Sequence, residues 1–137
     1  MGKDKGTMEE QTLEAYLGTY DEIYQSAVKI RWRNKTIDIL IIVISSLTSG
    51  TLWALIGTSY KTVAAWSAAI LSTTLTIITL LQKNLDLGRK YEELIGLYGR
   101  VGQDIASLRT SKPNDENQAL AWFKLKRFRE EMIRILR

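Results

Sequence analysis

Two uncharged runs constrain this chain more than any other feature. Between Asp38 and Lys61 the only ionisable side chain is Tyr60, and between Lys61 and Lys83 there is none. Each gap is about twenty residues, the length an α-helix needs at about 1.5 Å per residue to cross roughly 30 Å of hydrocarbon. A soluble helix of that length keeps a charged face, and neither run has one. The competing reading, a soluble all-α domain with two buried central helices, has to account for that lack. The expectation is therefore an all-α integral membrane protein built on a two-transmembrane helical hairpin, with transmembrane 1 over 37–57 and transmembrane 2 over 62–82. The first apolar run begins behind a charged, patterned segment, which argues against a cleaved leader.

Charge placement orients the hairpin. Lys29, Arg31, Arg33 and Lys35 precede the first run, Lys83, Arg89 and Lys90 follow the second, and the turn between them carries Lys61 alone. By the positive-inside rule the chain is multi-pass with both termini cytoplasmic. Trp53, Tyr60 and Trp66 then cluster at the outer interface and Trp32 lies near the inner one, where amphipathic rings are favoured.

Outside the spans the pattern is helical. An N-terminal amphipathic helix is expected over 8–35, because Leu13, Tyr16, Leu17, Tyr20, Ile23, Tyr24 and Ala27 recur at steps of three and four. With no proline after the second span, that helix is expected to continue into the cytoplasm over 83–109. There Leu87, Tyr91, Leu94, Tyr98, Val101, Ile105 and Leu108 alternate steps of four and three, a heptad seam suited to oligomerisation. Gly96, Gly99 and Gly102 lie close to the seam, either tolerated or allowing close helix approach. The stretch TSKPNDEN, residues 110–117, holds the single proline and N-cap residues. A basic amphipathic helix follows over 115–137. Its apolar arc is expected to be Trp122, Leu125, Phe128, Met132, Ile133, Ile135 and Leu136, with Arg129 alone intruding. It suits lipid, the chain's own helices or a partner.

The chain has no cysteine and no histidine, which excludes a Cys/His zinc site, a Cys or His nucleophile and any disulfide. The acids are scattered singly, and no GxxxxGK[ST] phosphate loop occurs. No enzyme activity, metal or cofactor is expected. Asp38 is the one carboxylate near the hydrocarbon boundary, and capping or pairing with Lys35 is its expected role. Basic residues alternate with acids, so nucleic acid is not an expected partner.

The spans carry hydroxyls. On a helical wheel Ala65, Ala68, Ser72, Thr76, Thr79 and Lys83 form one stripe of the second span, and Asp38, Ser45 and Ser49 align on the first, with Ser46 and Gly50 beside them. Small and hydroxyl-bearing residues serve helix packing. In an oligomer the same residues, with Lys83 at the cytoplasmic mouth, suit the lining of a wet path. Both readings stand at this point.

The layout resembles a known family. A tyrosine-bearing helix ending in KIRWRNKTIDIL, two spans joined by GTSYK, and the long helix QKNLDLGRKYEELIGLYGRVGQDI are similar to the SLATT family of two-transmembrane effectors associated with SMODS and SLOG proteins. The resemblance covers about residues 10 to 110; within a single SLATT-like domain spanning 1–137, the last helix would be an extension. It implies a membrane effector of a bacterial anti-phage or inter-strain conflict system, located in the bacterial inner membrane. It further implies a homo-oligomer that forms a pore or disrupts lipid when a partner sensor or nucleotide-synthesising protein triggers it. No catalytic residues come with the resemblance. The alternative is a non-conducting membrane anchor or scaffold for a cytoplasmic partner.

Overall fold

The computed structural model describes residues 8–57, 59–110 and 115–137. Four helices follow one another: α1 Met8–Gly57, α2 Lys61–Leu85, α3 Leu87–Thr110 and α4 Asp115–Leu136, with no strand among the described residues. Proline and the N-cap signal of the TSKPNDEN stretch lie largely outside the described residues. Two helices are long and apolar enough to cross a membrane.

The expected amphipathic helix and the first span are one helix of 50 residues, α1. Nothing in the sequence interrupts it: the one proline lies far downstream, and the pattern passes from one-sided to apolar all round without a breaker. The second span, expected to run on unbroken, is interrupted at a single residue. Asp86 takes φ 45°, ψ 42°, the left-handed conformation, and its N–H donates to the Gln82 carbonyl at 3.2 Å. Aspartate tolerates this region better than most residues, so a helix end forms where no glycine or proline announces one.

The chain divides into two compact units. The bundle unit takes the described residues up to Ile30 together with Arg89–Arg137, and the hairpin unit takes Arg31–Gly88. In the bundle unit, Tyr16, Ile23, Leu94, Leu97, Val101 and Leu125 are buried to within 1% of full enclosure. Close packing of these side chains removes the apolar faces of α1, α3 and α4 from water.

Rings and hydrogen bonds fix the register of the bundle. Tyr20 stacks on Tyr98 with ring centroids 4.0 Å apart, and Tyr24 meets the same ring at 5.7 Å. A Cβ on Gly102 would stand 3.4 Å from the Tyr20 ring, in van der Waals contact, so α1 and α3 lie close at this position. Gly96 and Gly99 border open space, and their presence is tolerance only.

The apolar arc of α4 is rotated from the expected one. Ala121, Leu125 and Ile135 are buried, whereas Trp122, Ile133 and Leu136 keep 40%, 51% and 41% of their surface. A single amphipathic wheel cannot tell which flank of a wide arc meets two neighbours at once. Arg129, the residue that breaks the arc, donates from Nε to Thr19 Oγ1 at 3.0 Å, and Thr19 donates to the Ala15 carbonyl at 3.0 Å. The guanidinium thereby meets the hydroxyl of a fully buried threonine, while the rest of the side chain stays exposed.

Two stability outcomes follow from the backbone. Gly96→Ala and Gly99→Ala should each raise the unfolding free energy by about 0.5–1 kcal/mol, since both sit inside α3 with room for a methyl group. At position 86, the Ala variant should be less stable than the Gly variant by about 1 kcal/mol, because only glycine enters the left-handed region without a Cβ penalty. Thermal unfolding in detergent, followed by loss of helical circular dichroism, measures both.

Candidate functional site

In the hairpin unit the two helices face each other through a seam that the wheel did not single out. On α2, Ser67, Ala68, Leu71, Thr74, Ile78 and Gln82 are buried or half-buried. On α1 the half-buried positions include Asn34, Ile37, Ile41, Ser45 and Thr48. Small and slender residues at these positions allow close packing of the pair.

Ser72, Thr76, Thr79 and Lys83 are exposed, about a quarter turn around α2 from that seam. Ser49 is exposed on α1, and Ser45 is half-buried. The expected stripe is therefore split, with Ala68 inside the hairpin and the hydroxyls of Ser72, Thr76 and Thr79 on its flank. The flank hydroxyls close back onto their own helices. Thr76 donates to the Ser72 carbonyl at 3.0 Å, Thr79 to Leu75 at 2.8 Å and Ser49 to Ser45 at 3.0 Å. Such a bond satisfies the donor and leaves oxygen lone pairs that can accept from water or a neighbour.

Apolar side chains cover most of the remaining hairpin surface, with Ser46 and Thr73 as further exposed hydroxyls. Ile42, Trp53 and Trp66 keep 65%, 76% and 69% of their surface, and most large residues of both helices are similarly open. A continuous apolar surface of this kind demands cover by lipid or by protein.

At one end of the seam sits a polar tie. The Gln82 Nε2 donates to Asp38 Oδ1 at 2.6 Å and reaches Asn34 Oδ1 at 3.5 Å. Asp38 thus takes its hydrogen bond from α2 across the hairpin, neither capping a helix nor pairing with Lys35. The Lys35 ammonium lies 5.8 Å from the Trp32 ring centroid instead. Gln82 was not among the residues expected to matter. Its signal in the sequence is a polar residue closing an uncharged run, directly before Lys83, at the level where Asp38 opens the other.

The heptad seam proposed for oligomerisation is occupied within the chain. Leu94, Val101 and Ile105 are buried in the bundle unit, and Tyr91, Tyr98 and Leu108 are half-buried there. Leu87, in the hairpin unit, is also buried. Between α3 and α4 runs a groove of about 720 Å³ whose lining includes Arg100, Asp104, Lys124, Arg127 and Glu131. Its ions largely pair with each other: Arg100 with Glu131 at 2.7 Å, Lys124 with Asp104 at 3.9 Å, and Arg134 with Glu131 at 3.9 Å. Exposed pairs like these contribute about 0–1 kcal/mol each, and they neutralise the groove rather than charge it.

No family model matches the chain, no curated protein matches it, and no solved structure matches it. The geometry of its own residues carries the functional reading.

In the bundle core, burial and then the nearby Asp104 carboxylate push the Tyr16 phenol up to about 12, and its hydroxyl donates to the Ala121 carbonyl at 2.7 Å. Hydrogen bonding with Tyr20, then burial, raises Tyr98 to about 12 as well. Below pH 10 these phenols are protonated in both folded and unfolded chains, so their titration leaves stability unchanged. Between pH 10 and 12 the unfolded chain ionises first, and stability should fall as pH rises, by up to about 1.4 kcal/mol per unit for Tyr16. Tyr16→Phe should lose about 1 kcal/mol at neutral pH and show a shallower alkaline decline. Helix content recorded against denaturant across that pH range checks both.

Proposed function

We propose that this chain is a SLATT-like effector of a bacterial anti-phage or conflict system, an oligomer that permeabilises the inner membrane when a partner sensor or a nucleotide-signalling protein triggers it. The single observation that carries the reading is the hydroxyl flank of the hairpin. Ser72, Thr76 and Thr79 are left outside the seam, in line with Lys83, on a helix whose other exposed positions are mostly apolar, with Thr73 a further exposed hydroxyl beside them.

The hairpin by itself makes no use of that flank, so simple packing of α1 on α2 does not account for it. Several copies turned so that these flanks meet would bring together oxygens able to accept from water without any buried charge. Basic residues flank the spans on the side assigned to the cytoplasm, with Lys61 alone in the turn, which supports cytoplasmic termini. The closed state keeps the flanks apart. A trigger must then favour the open arrangement by several kcal/mol to change the population from mostly closed to mostly open.

The anchor reading draws on a different observation. Thr76 and Thr79 donate to the Ser72 and Leu75 carbonyls one turn back on the same helix, which lets the flank rest against lipid with no pore at all. Substitution separates the two. In liposomes where the parent chain releases an entrapped dye, Ser72→Leu, Thr76→Leu and Thr79→Leu together should abolish release while the oligomer persists in detergent. Undiminished release from the triple variant would remove these hydroxyls from the conducting path.

A further inference from the structure

The bundle unit carries two exposed faces of opposite charge that match each other in register. On α1 there are five carboxylates and no Lys or Arg from Met8 through Val28. Leu17 lies on an exposed face of this segment with 40% of its surface open, between the exposed carboxylates Glu14 and Asp21. On α4 the flank left outside the core carries Trp122 and Ile133, 40% and 51% exposed, with exposed Lys126 between them and Arg137 beyond. The α1 face sets Leu17 among carboxylates, and the α4 face sets Trp122 and Ile133 among mostly basic side chains, with Glu130 at its border. That composition is unsuited to lone exposure to water and suited to an oppositely charged strip.

The two strips cannot meet within one chain. Leu17 and Asp21 sit beside Tyr20 and Tyr24, on the flank of α1 that turns toward Tyr98 of α3. The α4 strip lies on the far side of Arg129, which reaches α1 through Thr19. They do lie level. The Tyr16 hydroxyl bonds to the carbonyl of Ala121, 105 residues on. The Thr19–Arg129 bond joins the same two helices at an offset of 110, so the pair run in the same direction and Trp122 lies near the level of Leu17, Lys126 near Asp21 and Ile133 near Val28, to within the 5 residues by which 110 and 105 differ.

We infer that the α4 strip of one copy docks on the α1 strip of a second copy, side by side with their helices parallel. Trp122 then covers Leu17, Lys126 pairs with Asp21, and Ile133 packs on Val28. The contact is heterologous, using a different surface on each partner. Repeated around an axis parallel to the helices, it closes into a ring rather than stopping at a dimer. It also provides an assembly route that leaves the heptad seam inside each chain. The inference rests on the proposed function only for the common direction that copies inserted into one membrane share.

The chain contains no cysteine, so introduced ones are unique. Full-length Leu17→Cys and Trp122→Cys chains, reconstituted together in liposomes and treated with an added thiol oxidant, should give a disulfide-linked dimer. Either variant alone should give none. In a second measurement, Lys126→Asp or Asp21→Lys should weaken self-association about tenfold, and the two changes in one chain should restore it. Helix content of every variant is compared with the parent. Self-crosslinking of either single variant would mean an isologous contact and overturn the inference, as would an oligomer that forms without the mixed crosslink, or a parent chain that stays monomeric in lipid. Dye release from the same liposomes reads the pore separately: crosslinked oligomers in tight vesicles would remove conduction and leave the interface standing.

Discussion

The constraint on which the rest of this structure depends is the need to satisfy polar groups along two helices that have no charge to present to water. With no ionisable side chain for about twenty residues at a time, the backbone must close all its hydrogen bonds inside the helix. The hydroxyls obey the same demand. Ser46, Thr48, Ser49, Thr73, Thr74, Thr76 and Thr79 each donate to a carbonyl one turn back. A helix studded with serine and threonine can therefore satisfy its hydroxyl donors internally, leaving only oxygen lone pairs as residual acceptors. Where a polar side chain lacks such a local solution, it crosses to the neighbour, as Gln82 does to Asp38.

The bundle unit solves a different problem. Its helices are amphipathic, and burial of Tyr16, Ile23, Leu94, Leu97, Val101 and Leu125 supplies the main stabilising term, at about 1.5–3 kcal/mol for each large side chain removed from water. The Tyr16 hydroxyl pairs in that core with the Ala121 carbonyl, and Thr19 with both Arg129 and the Ala15 carbonyl, whereas Gln118 Oε1 on α4 is buried without a hydrogen-bond partner. These bonds contribute modestly to stability, but leaving one unmade would cost the full desolvation of a buried group. They define one register among the several that an apolar stripe would accept.

A functional division follows from these two solutions. The heptad positions of α3 are buried or half-buried within the chain, so the assembly proposed above would use surfaces that the bundle leaves open. The hairpin contributes apolar cover and a hydroxyl flank, and the bundle contributes an acidic strip on α1 and a basic one on α4.

The sequence by itself determined the helices and their type. The uncharged runs, the three-and-four spacing of Tyr16, Tyr20, Ile23 and Ala27, and the heptads from Leu94 to Ile105 are periodicities of single helices, and each is legible without a neighbour. The tertiary structure alone decided which flank of each helix is covered. Ala68 went into the hairpin seam while Ser72, Thr76 and Thr79 stayed outside, and Ala121 replaced Trp122 in the α4 core, because a helix touching one or two neighbours buries the arc that its crossing geometry selects. The break at Asp86 and the Arg129–Thr19 bond were likewise invisible beforehand. One depends on a left-handed residue that composition does not announce, and the other on a pairing across 110 residues. Periodicity belongs to one helix and is written in order along the chain, whereas contact belongs to two and exists only once they are packed.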